Sequence, residues 1–423
     1  MIEFSYRHMV HLRLNVPQRP LAMEPFSPLD PRLTVDPYPL YAKLRKAQPV
    51  HMSTVGAYVL TRYEDVRQML IDNRTFQHQY VTQQRARVGD AVLEESYFDY
   101  FRRMIFVLDD PDHRRIRKLV HKAFTPKRVR ELRERAIYIA SDLIDQKSDV
   151  REMDFIAEFA YPFPIRVIGC ILGMPEEDHE RIGEYATALN PVLEFLPMSA
   201  EVLAKANSAV EELVEYFTLL AAKRRAEPTD DLFSALVHAS EDDESLSNKE
   251  LLANAILLYV AGHETTAGGM GLALLSLHRN RQQLERLKAD PRCLSNAVEE
   301  LLRYDTPGQG TARVVTSDTK IGDTTIDAGS MVLGYIGAAN RDPEAYSKPD
   351  QLDIARDFNV QPRPLTWGGG AHFCLGRLLA LQEIEVALEV FLSRCPHFEI
   401  CSDQPEFRPT PLMRGLATLP IRW

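Results

Sequence analysis

One uninterrupted helical pattern constrains this chain more than any other feature. The stretch "SLSNKELLANAILLYVAGHETTAGGMGLALLSLHRN" occupies residues 245–280. Ser247 and Glu250, near its start, have the three-residue spacing of a capping box. About 30 residues in one helix extend about 45 Å at 1.5 Å per residue. We therefore expect a large, mainly helical domain built around this helix as its central element.

The remaining sequence predicts a mainly α protein of about a dozen helices with small β-sheets. No internal repeat or Gly/Ser-rich linker divides the 423 residues, so we assign 25–423 to one domain and 1–24 to an N-terminal extension. Alternating residues around Val55–Gly56 predict a β-hairpin, and 313–340 carries further strand alternation. The irregular stretch 77–106 is predicted to be a long loop that contains one short helix.

The composition excludes several functional classes. The net charge of -10 argues against nucleic-acid binding. The chain has only five cysteines, which is also an odd number, and this argues against a disulfide scaffold. The longest apolar run, "LLANAILLYVAG", is shorter than the roughly 20 residues of a membrane span, and the N-terminus lacks a signal-peptide core. We expect a soluble, cytoplasmic protein that is monomeric and has no membrane partner.

The segment "TWGGGAHFCLG", residues 366–376, surrounds one thiol with glycine. Cys374 comes just before a helix predicted over 378–394, where free N–H groups favour a thiolate. A nucleophile would need a base, and a zinc site would need more nearby ligands than His372. A haem iron needs only this one sulfur, because the porphyrin supplies four ligands. From spacing alone, a buried structural cysteine is an equally good interpretation.

The central helix carries a stripe of small residues. Four residues spaced by 4, 3 and 4 share one face: Leu258, Gly262, Thr265 and Gly269. With Ala261 beside them, a flat molecule can lie against the helix. Glu264 next to Thr265 forms an acid–alcohol pair that suits a proton relay. The alternative is close helix packing with Glu264 merely solvated.

Two further stretches carry charged spacings. In "EELLR", Glu300 and Arg303 are three apart and can pair, although a surface pair of this kind contributes little. In "DDPDHRRIRKLVHKAF", His113 and Arg117 share a helix face that suits a carboxylate or phosphate. The same helix adds a basic patch, for which a solvated face is the alternative: Arg114, Arg115, Lys118 and Lys122.

Taken together and in this order, the four stretches resemble the cytochrome P-450 superfamily in its soluble bacterial form, over residues 30–423. The cysteine segment is similar to the signature F-x-x-G-x-[HR]-x-C-x-G, with Trp367 at the phenylalanine position. "AGHETT", residues 261–266, resembles the oxygen-activation motif, and Glu300 with Arg303 matches E-x-x-R. "AANRDP" and "PDQLDIAR" resemble the later segment, whose arginine is Arg356.

The resemblance implies a haem b held between the central helix and the cysteine loop, with Cys374 as axial ligand and O2 as co-substrate. It implies these cofactor contacts: His113, Arg117, Ala261, Gly262, Arg313, His372, Cys374 and Gly376. It implies that Glu300, Arg303 and Arg356 form a buried network that braces the loop. It also implies that Glu264 and Thr265 deliver protons during O2 activation.

The implied reaction is hydroxylation or epoxidation of a lipophilic secondary metabolite, of the polyketide, macrolide or terpenoid kind, either free or bound to a carrier protein. Electrons would come from ferredoxin and ferredoxin reductase, because the chain has no flavin, dinucleotide or iron–sulfur motif. The basic patch would dock the ferredoxin. The pocket candidates are Phe106, Leu193, Leu257, Leu258, Gly308 and Met413.

Three alternatives stay open at this stage. Superfamily members that act as peroxygenases, isomerases or phenol-coupling enzymes often lack the acid–alcohol pair, so Glu264 and Thr265 favour a monooxygenase. A haem-binding sensor or carrier would need no proton relay. A zinc or thiol enzyme is the third alternative.

Overall fold

The computed structural model describes residues 26–194, 198–241 and 244–423. The N-terminal extension predicted over 1–24 lies outside these residues. The helices are α1 Arg32–Val35, α2 Tyr38–Ala47, α3 Tyr63–Ile71, α4 Tyr80–Val88, α5 Ser96–Phe101, α6 Asp112–Ala123, α7 Pro126–Glu131, α8 Arg133–Asp145, α9 Pro162–Ile171, α10 His179–Ala188, α11 Asn190–Leu193, α12 Ala200–Ala226, α13 Leu232–Val237, α14 Asn248–Arg279, α15 Arg281–Ala289, α16 Leu294–Tyr304, α17 Ile336–Ala339 and α18 Arg377–Arg394.

The strands are short and form small sheets. They are β1 Val50–Met52, β2 Tyr58–Leu60, β3 Phe76–Gln77, β4 Glu152–Asp154, β5 Ser240–Glu241, β6 Glu244–Ser245, β7 Thr311–Val315, β8 Thr319–Ile321, β9 Thr324–Ile326, β10 Met331–Gly334, β11 Glu399–Ile400 and β12 Pro420–Arg422. The predicted mainly α class with small sheets is confirmed. None of the helices in the described ranges combines the length and apolar composition that a membrane crossing requires.

The predicted central helix is α14. Ser247 Oγ accepts from the Glu250 N–H at 3.3 Å, and Glu250 Oε2 accepts from the Ser247 N–H at 2.8 Å, so both halves of the capping box are present. Most residues from Leu251 to Leu277 are buried, as expected for a helix surrounded by others. It packs against α9, α12, α16 and α18, which form the main hydrophobic core with it.

The largest sheet lies beside this core and has the order β1-β2-β10-β7-β3. β2 pairs antiparallel with β1 and parallel with β10, so that Leu60 lies opposite both Val50 and Gly334. The hairpin predicted around Val55–Gly56 is therefore confirmed, with Gly56 at φ 76°. A second sheet, β11-β12-β4, ties the C-terminal residues to the segment before α9.

The stretch 77–106 contains more helix than the predicted long loop with one short helix. It contains α4, a 3₁₀ turn over Asp90–Glu94 and α5. On α4 the buried residues are Gln83 and Gln84, which are polar. The helix therefore has no apolar periodicity that the sequence could reveal.

Candidate active site

Cys374 lies in the loop that leads into α18. Its N–H donates to the Trp367 carbonyl at 2.8 Å. Burial raises the pKa of the Cys374 thiol, whereas hydrogen bonds from the backbone of Gly376 and Arg377 and the charge of Arg117 oppose that rise. The sulfur is thus placed where N–H groups stabilise negative charge, as the predicted position before a helix implied.

Two glycines in this loop are required by its shape. Gly368 and Gly370 have φ of 71° and 59°, in the left-handed region. A Cβ on Gly370 would also lie 2.8 Å from Leu70 O and 2.9 Å from Ile71 Cα, at the end of α3. Part of the glycine content therefore lets the loop pack against α3, a contact that the sequence did not reveal.

Glu299 joins the two ends of the cysteine loop. Its side chain accepts a hydrogen bond from Trp367 Nε1 at 3.0 Å and forms an ion pair with Arg377. The tryptophan at the phenylalanine position therefore has a polar role that phenylalanine cannot fill. Glu299 is not among the residues that the sequence motifs predicted; the indole N–H of Trp367, which requires an acceptor when buried, was the available signal.

Glu300, Arg303 and Arg356 form a buried network. Arg303 Nε lies 2.6 Å and Arg356 Nε 2.9 Å from Glu300 Oε2, and the Glu300 and Arg303 side chains are fully buried. Glu300 Oε1 also accepts from Arg303 Nη2 at 2.9 Å and from the Asp353 N–H at 3.0 Å. The interpretation of Glu300 and Arg303 as a surface pair is therefore wrong.

Asn340 connects this network to the start of the cysteine loop. Its carbonyl accepts from Arg303 Nη1 at 2.8 Å. Its side chain donates to Thr366 Oγ1 at 3.0 Å and accepts from the Leu365 N–H at 2.8 Å. Asn340 belongs to the "AANRDP" stretch, but its contact with the loop could not be derived from spacing.

A cluster of imidazole rings and guanidinium groups lies next to the same loop. The ring centroid of His372 is 4.0 Å from that of His113 and 4.5 Å from that of His78. His78 Nε2 and His113 Nε2 are buried without a hydrogen-bond partner. Burial, followed by the charge of Arg313, lowers the pKa of His372 to about 2. Burial, followed by the charge of Arg117, lowers the pKa of His113.

Arg117 and Arg313 also donate to backbone carbonyls, whereas the Nε2 atoms of His78 and His113 have no partner. Unpartnered imidazole nitrogens beside Arg117 and Arg313 suit anionic oxygen atoms such as a pair of carboxylates. In the described ranges, no group of three or more His, Cys, Asp or Glu side chains is placed to hold a metal ion. The structure thus brings together the predicted His113, Arg117, Arg313 and His372, and it adds His78, which lies in a stretch without any regular pattern.

A cavity of about 290 Å³ opens beside the middle of α14. Its lining residues are His78, Tyr80, Gln83, Gln84, Arg87, Phe101, Met104, Phe106, Val107, Val192, Leu193, Glu194, Leu257, Val260, Ala261, Glu264, Thr265, Gly310, Thr311, Ala312, Leu412 and Met413. The pocket candidates Phe106, Leu193, Leu257 and Met413 line it, together with Ala261 from the predicted cofactor contacts.

The small-residue stripe of α14 does not coincide with the wall of this cavity. Leu258, Gly262 and Gly269 are absent from that wall. A Cβ on Gly262 would lie 3.3 Å from Ile168 of α9, and one on Gly269 would lie 3.2 Å from Ile384 of α18. The alternative of close helix packing therefore applies to these two glycines, whereas Thr265 of the same stripe lines the cavity.

Gly308 also lies outside the cavity wall. It forms an isolated β-bridge with Met413. The neighbouring Gly310 lines the cavity instead, and a Cβ on it would lie 3.1 Å from Gly334 O. The prediction that Gly308 lines the cavity is therefore wrong by two residues, since Gly310 lines it instead.

Glu264 is buried, with 1% of its surface exposed, so the interpretation of a solvated carboxylate is wrong. Its Oε2 accepts from Tyr161 OH at 2.8 Å and from Asn190 Nδ2, and its Oε1 pairs with Arg408. Thr265 Oγ1 donates to Ala261 O at 3.0 Å. An acid and an alcohol thus stand side by side at the cavity wall.

A second buried carboxyl lies on the other side of α14. Glu383 of α18 is 1% exposed, and neither of its carboxyl oxygens has a hydrogen-bond partner. Burial raises the pKa of Glu383 well above its ordinary value. No sequence motif pointed to it.

A match to a known family decides the identity. The sequence profile described as "Cytochrome P450" matches residues 40–422. The chain belongs to the cytochrome P450 family.

Relatives of this P450 extend the match over nearly the whole chain. It is 38% identical over 391 residues to the putative cytochrome P450 133B1 of Xylella fastidiosa, which covers 92% of this chain and 96% of that relative. It is 35% identical over 397 residues to the 6-deoxyerythronolide B hydroxylase of Saccharopolyspora erythraea, with coverage of 92% and 96%. The family and these relatives show that this P450 is a monooxygenase.

Solved P450 structures have the same fold. The structure of P450BioI in complex with an acyl carrier protein carrying hexadec-9Z-enoic acid matches with a TM-score of 0.86 and 33% sequence identity. The match covers 93% of this chain and 99% of that chain. The predicted P450 fold is thereby confirmed, and with it the haem-thiolate iron and O2 that define the family.

The residues of this P450 fit a haem. The Cys374 sulfur faces N–H groups that support a thiolate ligand. The unpartnered Nε2 atoms of His78 and His113, beside Arg313, suit two propionate carboxylates. Ala261 gives the helix a small side chain where the cavity meets α14. These features come from five places in the fold, namely the cysteine loop, the segment after β3, α6, β7 and α14. The two imidazole nitrogens have no hydrogen-bond partner from the protein.

The surface next to the cysteine loop of this P450 is basic. A cleft of about 670 Å³ is lined by Asn73, Asp110, His113, Arg114, Arg117, Lys118, His121, Lys122, Gly370 and Ala371. Phe373 and Leu378 are 42% and 45% exposed on the same loop and helix. Exposed apolar groups beside basic side chains are typical of a protein interaction site.

Proposed function

We propose that this monooxygenase binds haem b through Cys374 and inserts one O2-derived oxygen into a lipophilic small molecule by hydroxylation or epoxidation. The observation that carries the proposal is that Glu264 and Thr265 of α14 line a largely apolar cavity. His113, Arg117, Arg313 and His372, with His78, are proposed to hold the propionates. Glu300, Arg303 and Arg356 are proposed to keep the loop in place.

When bound, the haem iron supplies the site at which O2 is activated with electrons and protons. Thr265 presents a hydroxyl to the cavity, and Glu264 can pass a proton to it. Arg408 and Tyr161 connect Glu264 to the outside, because the Arg408 side chain is 18% exposed and that of Glu264 is 1% exposed. The apolar residues of the cavity keep bulk water away from the reacting group.

Electrons are proposed to arrive from a ferredoxin that docks on the basic cleft. Arg114, Lys118 and Lys122 attract an acidic partner, and Phe373 and Leu378 give it an apolar contact. Cys374 lies immediately behind this surface, which keeps the electron path short.

The substrate class follows from the cavity wall and from the relatives. Phe101, Met104, Phe106, Leu257 and Leu412 favour an apolar skeleton. The similarity to the 6-deoxyerythronolide B hydroxylase supports a polyketide or macrolide. The similarity to P450BioI, solved with an acyl carrier protein, supports a substrate tethered to such a carrier.

The test combines spectroscopy with turnover. The reduced, CO-bound protein is expected to show the strongly red-shifted band of haem-thiolate ligation, and Cys374→Ser is expected to lose it. With ferredoxin, its reductase, NADH and 18O2, candidate macrolides are expected to gain one labelled oxygen atom. An unchanged band in Cys374→Ser would contradict the ligand assignment. A haem-thiolate band without any product across a broad substrate panel would favour a sensor or carrier.

A further inference from the structure

We propose that the substrate carries a hydroxyl or N–H group at the end remote from the oxidised carbon, and that Gln84 and Tyr80 of α4 bind this group. The proposal rests on the proposed function, because it names the chemical class that the monooxygenase cavity accepts. It excludes pure hydrocarbons and molecules whose only polar groups are acceptors.

The wall formed by α4 is polar, whereas most of the other side chains that line the cavity are apolar. Tyr80 and Gln84 are four residues apart, so they lie on one face of the helix, and both line the cavity. Gln84 is 3% exposed, and its Oε1 is buried without a hydrogen-bond partner. The Tyr80 hydroxyl is likewise buried and unpartnered. Two polar atoms on this face of α4 therefore have no partner from the protein.

The other polar residues of this wall already bind the protein. Gln83 Nε2 donates to His78 O. Arg87 donates to Val192 O at 3.0 Å and to Pro191 O at 3.2 Å.

Glu194, on the segment that follows α11, is also engaged. It accepts from the Leu412 N–H at 3.3 Å and from the Met413 N–H at 2.7 Å. Arg87 and Glu194 therefore hold the segments around the cavity together. Tyr80 and Gln84 are the pair on this wall with atoms left for a ligand.

The chemistry of these two atoms defines the ligand group. An amide oxygen can only accept, so Gln84 Oε1 requires a donor, whereas the Tyr80 hydroxyl can donate or accept. A hydroxyl group satisfies both, since it donates to Gln84 and accepts from Tyr80. A ketone, ether, ester or carboxylate leaves Gln84 Oε1 unpaired, and a buried unpaired acceptor weakens binding.

The position of α4 sets the orientation of the substrate. Glu264 and Thr265 line the cavity from α14, and apolar side chains such as Phe101, Met104 and Leu257 complete the wall. A bound molecule therefore places its hydroxyl at α4 and an apolar carbon at α14. Such a molecule is an apolar skeleton that was hydroxylated or aminated before it reaches this enzyme.

The test uses two isomers, dodecan-1-ol and 1-methoxyundecane, which have the same atoms but differ in the ability to donate. Isothermal titration calorimetry on the haem-loaded protein measures both dissociation constants. We expect the alcohol to bind about tenfold more tightly than the ether. Gln84→Leu should abolish that ratio, whereas Tyr80→Phe should weaken both ligands because its hydroxyl can donate to either oxygen.

Gln83→Leu is the matched control, since it changes a glutamine of the same helix and should leave the ratio near tenfold. If Gln84→Leu does not fold, Gln84→Met replaces the amide at similar length. Undetectable alcohol binding, equal binding of both isomers, or an unchanged ratio in the Gln84 variant would overturn the proposal. The CO-bound spectrum of the same preparations separates this outcome from failure of the proposed function, because it reports Cys374 ligation independently of ligand preference.

Discussion

The guanidinium of Arg408, in the C-terminal loop, forms an ion pair with the buried carboxylate of Glu264 on α14. Arg408 Nη1 also lies 2.5 Å from Tyr161 OH, and that hydroxyl donates to the same carboxylate. A Cβ on Gly415 would overlap the Arg408 guanidinium. The acid of the proposed relay is therefore held by residues from the segment before α9, the start of α11 and the C-terminal loop.

Replacing Arg408 should destabilise the protein through Glu264. Arg408→Met leaves a buried carboxylate without its counter-charge, and we expect a loss of about 3–5 kcal/mol in the free energy of unfolding. In a Glu264→Gln background, Arg408→Met should lower the free energy of unfolding by much less. Urea unfolding of the four proteins of this double-mutant cycle gives the coupling energy. Additive effects of the two substitutions would contradict the pairing.

Thr265 should control the coupling of electron use to product. Thr265→Ala removes the hydroxyl from the cavity wall, so product formation should fall about 100-fold while NADH oxidation continues. Thr266→Ala is the control, because Thr266 Oγ1 donates to Gly262 O at 2.9 Å and does not line the cavity. Product and NADH consumption are measured in the same reactions. Unchanged coupling in Thr265→Ala would contradict the proposed relay.

The geometry of Arg303 should matter more than its charge. Arg303→Lys keeps the charge but loses the fork that binds both oxygens of Glu300 and the carbonyls of Asn340 and Pro349. We expect a loss of about 3 kcal/mol or more and reduced haem retention. The control is Arg292→Lys at the exposed pair with Asp290, where the change should be small. Haem content and thermal unfolding are the measurements.

Trp367→Phe should destabilise the protein, although phenylalanine is the residue of the family signature at this position. The substitution removes the indole donor to Glu299, and we expect a loss of about 1–3 kcal/mol. Trp423→Phe is the control, since Trp423 is the second of the two tryptophans and lies at the C-terminus. Equal stability of the Trp367 variant and the wild type would show that the hydrogen bond to Glu299 contributes nothing.

His263 should make the stability depend on pH. Burial, chiefly, lowers the pKa of His263 from 6.5 to about 4. Between these values the unfolded chain binds a proton that the folded protein does not, so stability falls as the pH decreases. The contribution between pH 7 and pH 5 is about 2 kcal/mol.

His263→Leu should therefore lose about 2 kcal/mol less than the wild type when the pH is lowered from 7 to 5. Urea unfolding at both pH values measures the difference. The exposed His397 provides the matched control, and His397→Leu should behave as the wild type does. An identical loss in the His263 variant would contradict the buried neutral imidazole.

The parts of the fold that the sequence could predict are those encoded locally. The capping box and the long apolar periodicity define α14, and strand alternation around Gly56 defines the β1–β2 hairpin. The prediction failed at α4, because its buried face carries Gln83 and Gln84, whose burial depends on the cavity beside them.

The site residues also divide into those that local sequence motifs predicted and those that depend on packing. Contiguous motifs predicted three sets of candidates: Cys374, Glu264 with Thr265, and Glu300 with Arg303. Spacing could not show that Gly262 and Gly269 pack against other helices while Leu257 and Ala261 reach the cavity, because both faces of α14 carry small and apolar residues.

The sequence by itself determined the central helix, the cysteine loop and the charged spacings, since each needs only residues within one or two helical turns. Only the tertiary structure decided the partners of those groups. Arg408 for Glu264 and Glu299 for Trp367 come from segments that meet when the core packs. Tyr80 and Gln84 lie on one helix, and the packing around that helix leaves their polar atoms without a partner. The physical reason is that burial makes each polar group require a partner, but packing decides which distant segment supplies it.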